Sequence, residues 1–88
     1  MNVQFKGSFA KDLRNIKNRD VLNRIREAVE ELEKAQSLQN ITNIKKLRGG
    51  GNYYRLRVGE HWIGLIVEGD NVTCVRCLDR KEIYRYFP

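Results

Sequence analysis

Tyr53-Tyr54-Arg55-Leu56-Arg57-Val58 alternates in polarity, the period of a strand with one buried face. Tyr54, Leu56 and Val58 then point toward a core, while Tyr53, Arg55 and Arg57 point together the other way. The next apolar run puts His61, Ile63, Leu65 and Val67 inward and leaves Trp62, Gly64, Ile66 and Glu68 on the outer face. A glycine in a strand interior marks a place where something bulky approaches the backbone, and Gly64 is such a position. With Thr73, Val75 and Cys77 read as inward in the third run, Arg76 joins the outer face, and Arg80 and Tyr84 arrive from the chain end. Guanidinium groups grip phosphate oxygens in planar pairs, and aromatic rings stack on unpaired bases. This face therefore has the makings of a single-stranded nucleic-acid surface. A solvated sheet whose arginine stems cover exposed rings shows the same pattern without any ligand.

Other motifs carry less. Cys74 and Cys77 are the only cysteines, and their spacing invites a zinc or redox reading. A structural zinc needs four ligands, and His61, the sole histidine, is too few to complete the set. A redox pair opens a helix after a strand, whereas this pair lies inside a β-branched run. Two small buried or half-buried thiols is the favoured reading, with no metal or cofactor expected. Gly49-Gly50-Gly51-Asn52 lacks the Lys-Ser/Thr of a phosphate loop and precedes a strand, so it reads as a flexible turn. His61 faces inward by alternation, which favours a buried or edge role over catalysis.

The elements that must hold this face follow from periodicity. Residues 2–6 alternate as a short strand, and Ser8 is placed to cap a first helix carrying Phe9, Leu13 and Ile16. After a polar joint in which Asn18 can cap, Val21 to about Gln36 has the strongest helical signal, with Leu22, Ile25, Val29 and Leu32 on one face. Leu38, Ile41, Ile44 and Leu47, at threefold spacing, predict at most a turn of helix over residues 37–47. Three strands follow at Tyr53–Val58, His61–Glu68 and Asn71–Leu78, joined by Gly59-Glu60 and Gly69-Asp70 hairpins, then one helical turn after Arg80. The order β-α-α-β-β-β with a short C-terminal helix is an α+β domain: an antiparallel sheet covered on one face by a helical hairpin.

Eighty-eight residues allow one domain, spanning 1–88. No apolar run reaches membrane-spanning length and the N-terminus shows no signal-peptide pattern, so a cytoplasmic protein with no membrane partner is expected. Seventeen Lys and Arg against eleven Asp and Glu give a net charge of +6, which favours a polyanionic or acidic partner. The excess lies mostly in residues 45–88, with nine basic and five acidic side chains.

Lys45-Lys46-Leu47-Arg48-Gly49, Tyr54-Arg55-Leu56-Arg57-Val58-Gly59 and Cys77-Leu78-Asp79-Arg80-Lys81-Glu82-Ile83-Tyr84 together resemble the RelE/ParE superfamily of toxins from bacterial toxin–antitoxin pairs. The resemblance covers the whole chain and implies the same strand–helix–helix–sheet fold. In its RelE branch it implies a metal-independent, ribosome-dependent mRNA endoribonuclease that needs no cofactor. The messenger's 2′-hydroxyl attacks the adjacent phosphate, leaving a cyclic phosphate and a 5′-hydroxyl. On this resemblance Arg55 and Arg57 would hold the phosphate, Arg80 would stabilise charge on it or on the leaving group, and Tyr84 would stack on or orient the nucleotide. Lys45, Lys46, Arg48, Tyr53, Trp62, Arg76 and Lys81 would contact messenger or ribosomal RNA. The implied partners are a cognate antitoxin, the ribosome with its mRNA, and operator DNA only through the antitoxin complex. The chain departs from the pattern at two places: Trp62 stands where close relatives carry an arginine, and Asp79 stands where they carry a histidine. The superfamily also contains ParE-like inhibitors of DNA gyrase, and a catalytically impaired member that binds only antitoxin and operator is a third reading.

Overall fold

The computed structural model describes residues 1–49 and 51–88. Its elements are β1 (Asn2–Phe5), α1 (Gly7–Arg14), α2 (Arg19–Lys34), β2 (Ile44–Lys46), β3 (Tyr53–Val58), β4 (His61–Glu68), β5 (Asn71–Asp79) and α3 (Ile83–Tyr86). They form one five-stranded sheet in the order β1-β5-β4-β3-β2. Helices α1 and α2 pack on one face of it, α1 against β5 and α2 against β1 and β3. The α+β architecture agrees with expectation, and three features refine it.

The first is β2, where the sequence predicted only a helical turn. A single 3-10 turn does occur at Leu38–Asn40, but Ile44, Lys45 and Lys46 then pair antiparallel with Leu56, Arg55 and Tyr54. Second, β1 joins β5 in parallel, with Phe5 opposite Cys74, so the sheet is mixed at that edge. Third, β5 carries a bulge: Gly64 pairs with Arg76 but Leu65 pairs with Cys74, leaving Val75 as the extra residue. The inward reading of Thr73 and Val75 is therefore corrected. Val72 and Cys74 are the buried side chains, and the alternation rejoins its expected phase only at Arg76 and Cys77. The turn expected over Gly49–Asn52 includes Gly50, which lies outside the described residues.

Local chemistry explains the helix starts. Asn18 Oδ1 accepts the backbone N–H of Asp20 at 2.9 Å and of Val21 at 3.3 Å, a cap worth about 1 kcal/mol. Ser8 does not cap α1. Its hydroxyl donates instead to the Val75 carbonyl at the bulge, and Lys6 holds the cap position without a side-chain bond. Gly59 and Gly69 both adopt φ +60°, which suits the first central position of a two-residue hairpin turn. Phe9, Ile25, Leu32, Leu56, Ile63, Leu65, Val67, Val72, Cys74 and Cys77 form the core between helices and sheet.

Burial pushes both the Cys74 and the Cys77 thiol up to about 12, with Glu33 adding to the first and Asp12 and Cys74 to the second. Both thiols are expected to resist Ellman's reagent in the native protein at mildly alkaline pH and to react once it unfolds. Because unfolded thiols ionise at the ordinary 9.0 while the folded ones keep their protons, stability is expected to fall as pH rises above 9.0. Rapid reaction of the folded protein would contradict this packing.

Candidate functional site

The sheet face opposite the helices is crossed by the C-terminal segment. Gly64 allows the approach: a Cβ built there would lie 2.7 Å from Cγ and Cδ2 of Phe87. Phe87 is buried against this backbone and meets the Tyr53 ring edge-on, with centroids 5.6 Å apart. Ile83, at the start of α3, is buried as well. Anchored at both ends, the segment brings Tyr84 edge-on to Trp62 with centroids 5.4 Å apart. The Arg55 guanidinium lies over the same Trp62 ring, 4.0 Å from its centroid. Such a cation–π contact contributes on the order of 1 kcal/mol and holds a long side chain in place.

Cross-strand register extends this group. Lys45 pairs with Arg55, and Arg57 pairs with Trp62, so all four side chains share the face. Lys45, Lys46, Leu47 and Arg48 meet Tyr84 and Pro88 around an open cleft of about 300 Å³. The Nε of Arg55 and Nε1 of Trp62 are buried without a hydrogen-bond partner among the described residues. The structure thus gathers Lys45, Tyr53, Arg55, Arg57, Trp62 and Tyr84 on one surface with Arg48 at the cleft, while Lys46 lines the cleft but pairs with Tyr54, on the helix side of β2.

Arg80, Lys81 and Arg76 are placed differently. Arg80 Nε meets Glu60 Oε2 at 3.0 Å beside the β3–β4 turn, and both side chains are more than half exposed. An exposed pair of this kind contributes about 0–1 kcal/mol, so solvent or another anion exchanges with it readily. Lys81 is exposed, its backbone N–H bonded to Asp79 Oδ1 at 2.9 Å. Arg76 lies on the outer face opposite Gly64, as its alternation requires. It is not a free cation there, because its Nε donates to Asp12 Oδ2 at 2.8 Å and its Nη2 to Asp12 Oδ1 at 3.1 Å. That hydrogen-bonded pair raises the Arg76 pKa further. Asp12 was not singled out in the sequence; in a short amphipathic helix a single carboxylate reads as surface. Its pairing with an arginine at a bulge carries no local signal. His61 is half-buried beside Asp12, Cys77 and Asp79, away from the Arg55–Trp62–Tyr84 group.

Among the described residues no cluster of three or more His, Cys, Asp or Glu could hold a metal, and no helix is long and apolar enough to cross a membrane.

Known proteins match the chain in sequence and in fold. The family model for the ParE toxin of type II toxin–antitoxin systems, parDE, matches residues 3–84. Toxin RelE3 of Methanocaldococcus jannaschii is 43% identical over 89 residues, covering all of both chains. The toxin–antitoxin RelB–RelE complex of Methanococcus jannaschii contains a chain that superposes with a TM-score of 0.80 at 42% identity, over 97% of this chain and 99% of that one. YafQ of E. coli shares the fold, with a TM-score of 0.76 at 14% identity over 94% of this chain and 97% of its own.

Gly64→Ala is expected to destabilise the fold by about 1–3 kcal/mol in urea unfolding, since the methyl must displace Phe87. Arg80→Ala is expected to change stability by less than about 1 kcal/mol. The reverse ranking would mean that the C-terminal segment is not seated on β4.

Proposed function

The chain belongs to the RelE/ParE superfamily of type II toxin–antitoxin toxins, and from that premise we propose that it is a ribosome-dependent mRNA endoribonuclease silenced by a cognate antitoxin. The observation that carries this reading is the Arg55–Trp62–Tyr84 cluster, in which Arg55 covers the Trp62 ring and Tyr84 meets it edge-on, beside a lysine-rimmed cleft. Aromatic rings select a base with an accessible face, which an unpaired codon offers and a duplex does not. Cations on either side suit the sugar–phosphate link next to that base.

In the proposed reaction the messenger's 2′-oxygen forms a bond to the adjacent phosphorus. The bond from phosphorus to the 5′-oxygen breaks, leaving a 2′,3′-cyclic phosphate and a 5′-hydroxyl. Arg55 and Arg57, with Lys45 across from Arg55, offset the charge that builds on the phosphate oxygens. The buried N–H groups of Arg55 and Trp62 are donors that favour an incoming phosphate oxygen. Tyr84 stacks on or orients the nucleotide, and Arg80 exchanges its exposed Glu60 partner for the phosphate or leaving group. Lys46, Arg48 and Lys81 contact ribosomal RNA backbone. Arginine is a poor proton acceptor, and the described cleft lining has neither an imidazole nor an acidic side chain. Groups of the ribosomal A site complete the proton transfer, which gives the ribosome requirement a chemical reason. The site of action is the cytoplasm, where translation occurs.

The RelB–RelE complex of the similar archaeal toxin supports a cognate antitoxin for this chain. A toxin carrying +6 is matched by an acidic segment, and opposite charges make their association fast and salt-sensitive.

Added to a translating extract, the protein is expected to cut mRNA at one position in the A-site codon and to leave ribosome-free RNA intact. Arg55→Ala should lower the cleavage rate by about 10²–10³. Tyr84→Ala should lower it by about 10–100-fold, the worth of one base stack. Mapping 3′ ends checks all three. Translation unaffected with intact mRNA would overturn the proposal, and DNA-damage signalling with intact mRNA on induction would assign the chain to the gyrase inhibitors.

A further inference from the structure

Asp12 is the buried charged side chain among the described residues, and the site described above does not use it. It sits on α1, in the helical layer. Its carboxylate accepts three hydrogen bonds, two from Arg76 and one from the Cys77 backbone N–H at 2.9 Å. β1 has ended at Phe5, opposite Cys74, so the β5 edge at Arg76 is open and the guanidinium can reach the helical layer. The same guanidinium lies over the ring of Tyr86, 5.4 Å from its centroid. Tyr86 belongs to α3, two residues beyond Tyr84. One bidentate ion pair thus links the helical layer to the segment on the other face of the sheet.

We propose that Asp12 and Arg76 are positioning residues, a tether through the sheet edge that fixes the roll of α3 and so holds Tyr84 against Trp62. The geometry of α3 makes such a tether necessary. It is a four-residue helix without a side-chain cap, so it cannot hold its own orientation. Ile83 and Phe87 anchor it along one line, which leaves rotation about that line. At about 100° per residue, Tyr84 and Tyr86 leave the helix on opposite sides of Ile83. Tyr86 is held by Arg76 on one side and Tyr84 meets Trp62 on the other. Releasing Tyr86 allows the roll that lifts Tyr84 from the indole. Net stability alone gives little reason for the ion pair, because a well-packed apolar pair commonly does as well. An arginine fork held by a carboxylate, in contrast, presents a fixed planar cation to a ring.

The consequence for RNA cleavage rests on the function proposed above; the positional claim does not. Trp62 is the only tryptophan, so its fluorescence reports the contact directly. Asp12→Asn, Tyr86→Ala and the double variant form a cycle, read by acrylamide quenching of Trp62 in samples shown to be folded and by A-site cleavage in a translating extract. Each single change should shift the ratio of seated to lifted Tyr84 by about fivefold, the scale of one cation–π contact, and raise quenching accordingly. The double variant should go no further than the singles, and Tyr86→Phe, which keeps the ring, should match the parent. In cleavage the loss should fall on kcat more than on KM. Additive effects, or quenching unchanged in the folded variants, would overturn the tether. If Asp12→Asn does not fold, Arg76→Lys completes the same cycle, since Arg76 is a quarter exposed. A parent protein that cuts no RNA would remove the function proposed above, while quenching would still decide the tether.

Discussion

Everything on the functional face depends on a side chain that is missing. Gly64 leaves the β4 backbone open, and Phe87 occupies the space a Cβ would fill. From that seat the last residues of the chain run across the sheet instead of away from it. Tyr84 thereby reaches Trp62, and Pro88 closes the far side of the lysine cleft. A four-residue helix gains its order from this burial, since so short a helix is unstable alone. The apolar seat of Phe87 and the placement of Tyr84 are in this sense one event.

The charges sort themselves by what surrounds them. Arg55 is held by an aromatic face, Arg76 by a buried carboxylate and Arg80 by an exposed one. Only the last exchanges its partner easily. Trp62 sets the character of the cluster: it supplies an aromatic surface, and the Arg55 guanidinium lies over it. Lys45, opposite Arg55 on the short edge strand β2, returns positive charge to the same place. The cluster is therefore cationic at its rim and aromatic at its floor, which suits an unpaired nucleotide better than a duplex.

Strand periodicity made much of this legible in advance. The alternation of Tyr53–Val58 and of His61–Glu68 assigns each side chain to its observed face, and Gly64 announced a close approach before its occupant was known. What escaped prediction has a common origin in tertiary pairing. β2 has three residues, and its strand character comes from β3, so Ile44 and Leu47 read as helical spacing. The bulge at Val75 answers to the geometry of the β4–β5 pair, and Ser8 turns to its carbonyl instead of capping α1. Asp12 and Arg76 are 64 positions apart, and nothing local to either announces the other. The placement of candidate site residues was legible where alternation carried it and illegible where a partner far along the chain redirected it.

The proposed cleavage requires an unpaired nucleotide to dock on the face built by Arg55, Trp62 and Tyr84. An NMR titration of isotope-labelled protein with a short single-stranded RNA, made uncleavable by a 2′-deoxy sugar at the attacking position, addresses it directly, because weak binding still moves resonances. Shifts are expected to concentrate on the Trp62 indole N–H, the Arg55 side chain, and the backbone around Lys45 and Tyr84, and to fade as salt is raised. Shifts confined to α1 and α2, with the indole unmoved, would contradict it.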